Sequence, residues 1–300
     1  MNETASLTYF SLNNLAAIAV QGEDAATFLQ GQTTCDVRQV TPQQSRPGAL
    51  CNLKGRVIAT IRLVHSGDGF LLLLQRDMQE TLLKRLRMYV LRAKVVVADA
   101  GSDWRIAGLI GDTLPGTLSN AGLPLADETD AAAGNGGAIA VRLPGERPRC
   151  LLLSRQDSPQ PWLDNLTVGD EGVWRQADIA CGIPHIGARL SEEFIPQMLN
   201  LDLIGAVSFQ KGCYTGQEIV ARTHYLGQAK RRAYRYAAPS QAATGDSLFA
   251  DGQADAVGTV IDAAGGELLA VVSCEHSAML LRLGAPDGPT LQALPPPYGM

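Results

Sequence analysis

Residues 211–222 read KGCYTGQEIVAR, a combination that ordinary core segments do not show. A single cysteine stands between two glycines, and the residues after it favour a helix that begins near Thr215. A helix N-terminus carries partial positive charge, and this charge together with Lys211 would stabilise a thiolate. Cys213 is therefore the best candidate in the chain for a reactive or ligand-forming thiol.

Two other interpretations of Cys213 stay open at this point. A catalytic thiol needs a base, usually a histidine, but sequence alone places none of the four histidines beside it: His65, His185, His224 and His276. Hydrolase chemistry is thus the minor alternative. A structural cysteine at a helix entry is the other one, with Glu218 and Arg222 pairing four residues apart on the helix surface.

The composition limits the class of protein. A chain of 300 residues is long enough for two or three domains, and its net charge of −5 argues against a general polyanion binder. The six cysteines are all more than ten residues apart, so no local zinc or cluster motif and no disulfide scaffold is expected. Residues 1–10 contain no apolar run of signal length, and no segment approaches the ~20 apolar residues of a membrane span. We therefore expect a cytoplasmic protein without a membrane partner.

Two clusters of basic residues interrupt this acidic chain. Each by itself is typical of a solvated helix face or a charged strand edge. Jointly they could guide a polyanion such as a polyglutamylated cofactor or RNA, although no RNA motif of the aromatic-platform kind is present. The clusters are Lys84, Arg85, Arg87, Arg92 and Lys94, and Lys230, Arg231, Arg232 and Arg235.

Residues 15–98 contain predicted strands and helices, and the part at 57–98 predicts a compact α+β unit. An apolar strand at 15–20 precedes a helix that Asp24 can cap. Alternating residues at 57–64 and an apolar run at 70–74 flank a Ser-Gly-Asp-Gly turn, which predicts a hairpin. The pattern then becomes helical, and a strand follows at 94–98; the helical stripe consists of Met78, Leu82, Leu83, Leu86 and Val90.

The remaining chain predicts further strands at 138–143 and 150–154 and a helix at 174–180. Residues 112–137 contain few large apolar side chains and are interpreted as a surface helix and loops. After Arg232 the chain breaks into short apolar runs divided by Gly, Asp and Ser, for example at 257–261 and 268–272. Short strands of this kind predict a small C-terminal β-barrel or sandwich.

The motif at 211–222 resembles the signature of the YgfZ family of folate-binding proteins, a branch of the superfamily of the glycine-cleavage T-protein (aminomethyltransferase). Weaker matches follow in the expected order along most of the chain: LQGQT at 29–33, KGR at 54–56, Trp174, GIP at 182–184, FIPQ at 194–197 and VGTV at 257–260.

The resemblance implies an α+β fold: a T-protein-like ring of three domains around a central folate cavity, with the C-terminal β-barrel as the last of them. The expected division is residues 1–50 plus 160–228 for a first, folate-binding domain, 51–159 for a second, ferredoxin-like domain and 229–300 for the barrel.

The resemblance also implies a role and a ligand. The chain is expected to bind tetrahydrofolate, or a one-carbon derivative of it, and to support the assembly, maintenance or repair of iron–sulfur enzymes, including ones that modify tRNA. Expected partners are iron–sulfur client enzymes or assembly proteins. We expect an accessory protein rather than a conventional enzyme; the alternatives are a folate-dependent aminomethyltransferase of the glycine-cleavage type and an RNA-binding module.

The residue roles follow from the same resemblance. Glu218 matches the T-protein glutamate that engages the pterin ring, and Trp174 matches a tryptophan of the folate site. Cys213 stands where the T-protein motif has an aspartate, and we place it at the cavity mouth as the reactive or ligating thiol. Further residues are assigned to the folate site: Lys211, Tyr214, Gln217 and Arg222. No metal site is assigned.

Overall fold

The computed structural model describes residues 7–239 and 241–299. Residues 1–6, part of the N-terminal stretch in which no export signal is expected, lie outside this range. In the described residues the helices are α1 (Ala25–Gln30), α2 (Gln79–Val90), α3 (Leu114–Asn120), α4 (Glu171–Ala180) and α5 (Gln217–Leu226). The strands are β1 (Thr8–Ser11), β2 (Leu15–Gln21), β3 (Arg46–Cys51), β4 (Val57–Ser66), β5 (Gly69–Gln75), β6 (Val96–Asp99), β7 (Trp104–Ile110), β8 (Ala132–Gly134), β9 (Ala138–Leu143), β10 (Arg149–Arg155), β11 (Thr167–Val168), β12 (Arg231–Ala237), β13 (Ser247–Ala250), β14 (Ala256–Ala264), β15 (Glu267–Ser273), β16 (Leu281–Leu283) and β17 (Thr290–Ala293).

A five-stranded sheet of order β3-β4-β5-β2-β6 contains the predicted hairpin, in which Ser66 pairs with Gly69. The predicted helical stripe is confirmed, because Leu82 and Leu86 of α2 are fully buried in the core on this sheet. Asp24 precedes α1 but does not cap it; its carboxylate accepts a hydrogen bond from the backbone N–H of Lys94 at 2.8 Å instead.

A six-stranded sheet of order β11-β1-β7-β10-β9-β8 lies beside the first. Its strands β9 and β10 coincide with the predicted runs, whereas β1 and β7 were not predicted. In β7 the polar Arg105 and the small Ala107 and Gly108 interrupt the apolar run, which hides the strand pattern.

The C-terminal strands form a closed barrel of order β12-β15-β14-β13-β16-β17. Strand β12 pairs with both β15 and β17, which closes the ring. The barrel prediction is therefore confirmed, and the sandwich alternative is wrong. Closure removes the free sheet edges that short strands would otherwise expose.

One hydrophobic core cluster joins the five-stranded sheet, the barrel and helices α4 and α5. It contains Ile179 of α4, Val220 of α5, Ile261 and Leu269 of the barrel, and Val57 of the five-stranded sheet. The division into three domains at the predicted residues stays a prediction. The five-stranded sheet runs from β2 to β6 and so continues across the expected boundary after residue 50.

Candidate functional site

Trp174 lies on α4 between two of the sheets. Helix α4 begins after Asp170, whose carboxylate accepts a hydrogen bond from the backbone N–H of Gly172 at 2.7 Å. The indole is 3% exposed and packs between Phe10, at a centroid distance of 5.8 Å, and the Arg149 guanidinium, 5.1 Å from the ring. It also lies flat on β7, because a Cβ at Gly108 would come within 2.3 Å of the ring. The orientation of Trp174 is thus strongly restrained.

Two cavities meet at this tryptophan. The apolar cavity has a volume of about 60 Å³, and the polar cavity beside it about 330 Å³. Strands of both sheets line the apolar cavity, with leucines from four of them: Leu15, Leu73, Leu143 and Leu151. Residues of α4 and the barrel line the polar cavity: Glu171, Arg175, Ile261 and Asp262. Both cavities share Leu15, Trp174, Asp178 and His185.

Asp178 is the buried carboxylate of this site. Its Oδ1 lies 2.8 Å from Arg149 Nη2, and its Oδ2 lies 2.9 Å from His185 Nε2. Burial alone would raise the pKa of the Asp178 carboxyl, but the charges and hydrogen bonds of Arg149 and His185 hold it below its ordinary value. Burial opposes a charged His185, yet its hydrogen bond with Asp178 raises the pKa of the imidazole. The arrangement therefore favours an ionised Asp178 that holds two cationic side chains.

Sequence reasoning missed Arg149 and Asp178, and it treated His185 as an ordinary loop residue. One signal was available for Asp178. It follows Trp174 by four residues on the same helix, which puts both side chains on one face. No comparable signal connects Arg149 with the site, because the pairing of β10 and the position of α4 decide that contact.

The loop at 211–216 is anchored to residues 31–35 rather than to the cavities. Lys211 Nζ donates hydrogen bonds to the carbonyl oxygens of Thr33 and Cys35, each at 2.7 Å, and lies 5.1 Å from the Tyr214 ring centroid. Burial lowers the pKa of Lys211 to about 8. Tyr214 is also buried, and the Thr215 N–H donates to the carbonyl of Gly31 at 3.2 Å. Lys211 and Tyr214 thus hold the loop in place.

Helix α5 follows this loop and packs against the turn at 52–56. Gly216 has φ +83°, and a Cβ there would lie 2.3 Å from the carbonyl oxygen of Asn52. The Gln217 side chain stabilises the turn at 214–217 before α5, since its Oε1 accepts a hydrogen bond from the Tyr214 N–H at 3.1 Å.

Three candidate site residues of the motif are exposed. Cys213 lies on the loop, and Glu218 and Arg222 lie on the outer face of α5. The expected ion pair between Glu218 and Arg222 is not formed in the described part of the chain.

The structure thus separates residues that the resemblance assigned to one site. Trp174 lines both cavities, whereas neither cavity is lined by the motif residues Lys211, Cys213, Tyr214, Gln217, Glu218 and Arg222. Their roles in folate binding stay predictions. The structure instead brings the motif together with two other matched segments, at 29–33 and 54–56.

Carboxylates already engage part of the two basic clusters. Arg232 pairs with Asp202 and Arg235 pairs with Glu267, while Lys94 pairs with Glu23. Among residues 7–239 and 241–299, no three or more His, Cys, Asp or Glu side chains are grouped so that they could hold a metal ion. In the same residues no helix is both long and apolar enough to cross a membrane.

Comparisons with known proteins bear on the chain as a whole. Two curated relatives share the name tRNA-modifying protein YgfZ. The protein of Colwellia psychrerythraea strain 34H is 34% identical over 222 residues, which cover 73% of this chain and 68% of the relative. The protein of Hamiltonella defensa subsp. Acyrthosiphon pisum is 34% identical over 238 residues, which cover 78% and 70%. No family model matches the chain.

The fold has a solved counterpart. The structure of the glycine cleavage system aminomethyltransferase T from Bartonella henselae superposes with a TM-score of 0.79 at 16% identity, covering 98% of this chain and 87% of that protein. The prediction of a T-protein-like α+β fold is therefore confirmed.

Proposed function

The chain belongs to the YgfZ family, and from this premise we propose that it is a folate-binding accessory protein that supports iron–sulfur enzymes, including enzymes that modify tRNA. The relatives carry tRNA modification in their name, and we extend that role to this chain. The observation that carries the folate part is the pair of cavities that meet at Trp174, Asp178 and His185.

The cavity residues fit a reduced pteridine ring. Ligand sites of about 300–1,000 Å³ are typically apolar with a few placed polar groups; the polar cavity, at about 330 Å³, is of this size, and the smaller apolar cavity adjoins it. The pyrimidinone half of the ring is flat and presents several N–H donors beside one carbonyl. Asn14 lines the polar cavity, and its buried Oδ1, which has no hydrogen-bond partner among the described residues, is available to accept such a donor. Leucines and Trp174 supply the apolar walls.

Each residue of the site then has a defined task. Trp174 presents a restrained apolar surface against the ring. Asp178 keeps its charge beside Arg149 and can accept a further N–H, because a carboxylate has about four acceptor positions. His185, held by Asp178, can donate to the ring carbonyl. Bound tetrahydrofolate would supply a carrier for a one-carbon unit.

Cys213 contributes separately from the cavity. Its thiol is exposed on a loop that Lys211 anchors, so a partner protein can reach it. One thiolate cannot hold a cluster alone, and contact with a labile iron–sulfur species would be shared with a client or a small thiol. We keep Cys213 as the reactive or ligating thiol on these grounds.

Tetrahydrofolate binding by calorimetry under anaerobic conditions tests the proposal. The wild type should bind, and His185→Gln should weaken binding by about tenfold, the effect of one lost hydrogen bond to a charged donor. His276→Gln is the matched control, because His276 lines neither cavity. Failure of the wild type to bind would overturn the proposal.

The Glu218→Ala variant tests whether folate binds in the cavities or at Glu218, the contact that the resemblance implies. Since Glu218 is exposed on α5, the cavity geometry predicts unchanged binding for this variant. A loss with Glu218→Ala but none with His185→Gln would place the folate at α5 instead.

An assay of glycine cleavage with a lipoylated carrier protein tests the alternative function, aminomethyl transfer. The fold is that of an aminomethyltransferase, so the assay is needed despite the low identity. Sustained turnover would replace the accessory role with aminomethyl transfer.

A further inference from the structure

A group of exposed aromatic rings lies at the end of α5, away from the cavities. The rings of Phe209 and His224 stack in parallel at a centroid distance of 3.7 Å and an interplanar angle of 10°. Tyr225 meets both rings edge-on, at 6.1 Å and 4.8 Å. Tyr225 is 65% exposed, His224 is exposed and Phe209 is half-buried, so the Tyr225 ring and the His224 face that does not stack on Phe209 are open to a ligand.

Positive charge accompanies these rings. Residues 219–245 contain no Asp or Glu, although the protein as a whole carries a net charge of −5. Arg222 lies three residues before Tyr225 and therefore on the same side of α5. Lys230 and Arg231 follow the helix closely; at ~3.6 Å per residue, Lys230 lies within about 18 Å of Tyr225.

These three basic side chains are not neutralised. Arg222, Lys230 and Arg231 are exposed, and none of them has a carboxylate within salt-bridge distance in the described residues. Arg232 and Arg235, which come next along the chain, are paired with Asp202 and Glu267. Three unpaired positive charges thus lie close in the chain to the aromatic rings.

Open ring faces next to unpaired basic side chains match one class of ligand best. Unpaired nucleotides stack their bases on aromatic side chains and place their phosphates against Lys and Arg. A protein interface would instead be depleted of lysine at its centre. A nucleic-acid duplex keeps its bases stacked inside, where these rings cannot reach them.

We propose that the α5 surface, formed by Phe209, Arg222, His224, Tyr225, Lys230 and Arg231, binds a single-stranded or looped segment of RNA. The surface goes beyond the proposed function, because it would bring RNA directly to this chain rather than only to client enzymes. It is independent of the folate site, since none of its residues lines either cavity.

Fluorescence anisotropy with a labelled 12-nucleotide RNA of mixed sequence and with the matching RNA duplex tests the inference. The single strand should bind more tightly than the duplex. Tyr225→Ala should weaken single-strand binding by about tenfold, the effect of losing one stacked base. The Lys230→Ala/Arg231→Ala double variant should reduce the slope of log affinity against log salt by about 1.4, or ~0.7 per lost phosphate contact.

Helix α2 offers matched controls. Tyr89 is also exposed and lies 5.3 Å from Arg85, within the other basic cluster. Tyr89→Ala and Lys84→Ala should leave binding and its salt slope unchanged. Absence of single-strand binding by the wild type at 100 mM salt would overturn the inference, as would equal losses for the Tyr89 and Tyr225 variants.

Tetrahydrofolate binding by the Tyr225 variant keeps the two proposals apart. It should equal that of the wild type, because Tyr225 is a surface residue outside the cavities. Normal folate binding also shows that the variant is folded, so a loss of RNA affinity then belongs to the α5 surface alone.

Discussion

Asp178 is the residue on which the cavity site depends. It is 3% exposed and lies between a buried arginine and a histidine that faces both cavities. A buried charge is tolerated only when it is paired, so Asp178 and Arg149 depend on each other. The same pair supports Trp174, because the guanidinium that binds Asp178 also covers the indole.

Replacing Asp178 should therefore be costly. Asp178→Asn would leave the Arg149 charge buried without its counter-ion, and we expect a loss of about 3–5 kcal/mol in the free energy of unfolding, measured with urea. The control is Asp112→Asn, which removes the half-exposed pair of Asp112 with Arg147 and should cost at most about 1 kcal/mol. Similar losses for both variants would contradict the central role of Asp178.

The pH dependence of the unfolding free energy lost in Asp178→Asn reports on the charge of His185. The lowered pKa of Asp178 contributes stability above its ordinary value of 3.8, which is lost as the pH falls through the lowered pKa. The raised pKa of His185 contributes stability below its ordinary value of 6.5, which is lost as the pH rises through the raised pKa. The difference between wild type and Asp178→Asn should be largest from pH 3.8 to 6.5 and smaller at pH 8.5; a constant difference would show that His185 is uncharged.

Cys213 is the second residue with an individual prediction. Cys213→Ala should fold and bind tetrahydrofolate like the wild type, because the thiol is exposed and lines neither cavity. In cells without the native protein it should support iron–sulfur enzymes less well than the wild type. Cys274→Ala, which removes the other exposed thiol, is the control. Full support by the Cys213 variant would make this cysteine structural.

At the scale of elements, the loop at 211–216 and helix α5 act as one anchored unit. Lys211 binds backbone carbonyls of residues 33 and 35, and Gly216 allows the turn before α5 to touch residues 52–55. This geometry requires Lys211 and Gly216 at their positions, whatever chemistry Cys213 performs. Part of the motif is therefore explained by the local fold.

The two glycines of the motif should respond differently to alanine. Gly216→Ala forces a side chain into a left-handed backbone conformation and against Asn52, and we expect a loss of about 1–3 kcal/mol in unfolding free energy. Gly212→Ala meets no atom within 4 Å and should change stability by no more than about 0.5 kcal/mol. Thermal and urea unfolding of both variants checks this, and equal stability would contradict the close packing at Gly216.

Elements with a strong local pattern were predictable. The turn at 66–69 and the stripe on α2 needed only turn chemistry and helical spacing. Strands β1 and β7 were not predictable in the same way, because β1 is short and β7 mixes small and charged residues. Their pairing partners, rather than their own composition, make them strands.

At the scale of the whole molecule, one core cluster joins the five-stranded and six-stranded sheets, and another joins the five-stranded sheet and the barrel. The cavities lie where these units meet α4. Ile261 belongs to the shared core and also lines the polar cavity, so the barrel takes part in both. The barrel therefore supplies a wall of the proposed folate site.

The candidate site was predictable only in part. Trp174 and the motif at 211–222 were found from the sequence, and the family to which they point is confirmed. Their shared folate site stays a prediction, and the cavities at Trp174 are lined by Asp178 and His185 and not by Glu218. A motif identifies residues that matter, but it carries no information on which surface they face.

The sequence by itself determined most local elements, the short strands of the C-terminal region and the family, because turn chemistry, hydrophobic spacing and a specific motif are local properties of a chain. Only the tertiary structure decided that Lys211 binds the carbonyl of Thr33, 178 positions away, and that Arg149 meets Asp178 behind Trp174. Spacing shows which face of an element is buried, but not which distant element covers that face. The position of the loop at 211–216 and the charge of Asp178 beside the cavities both depend on such distant contacts.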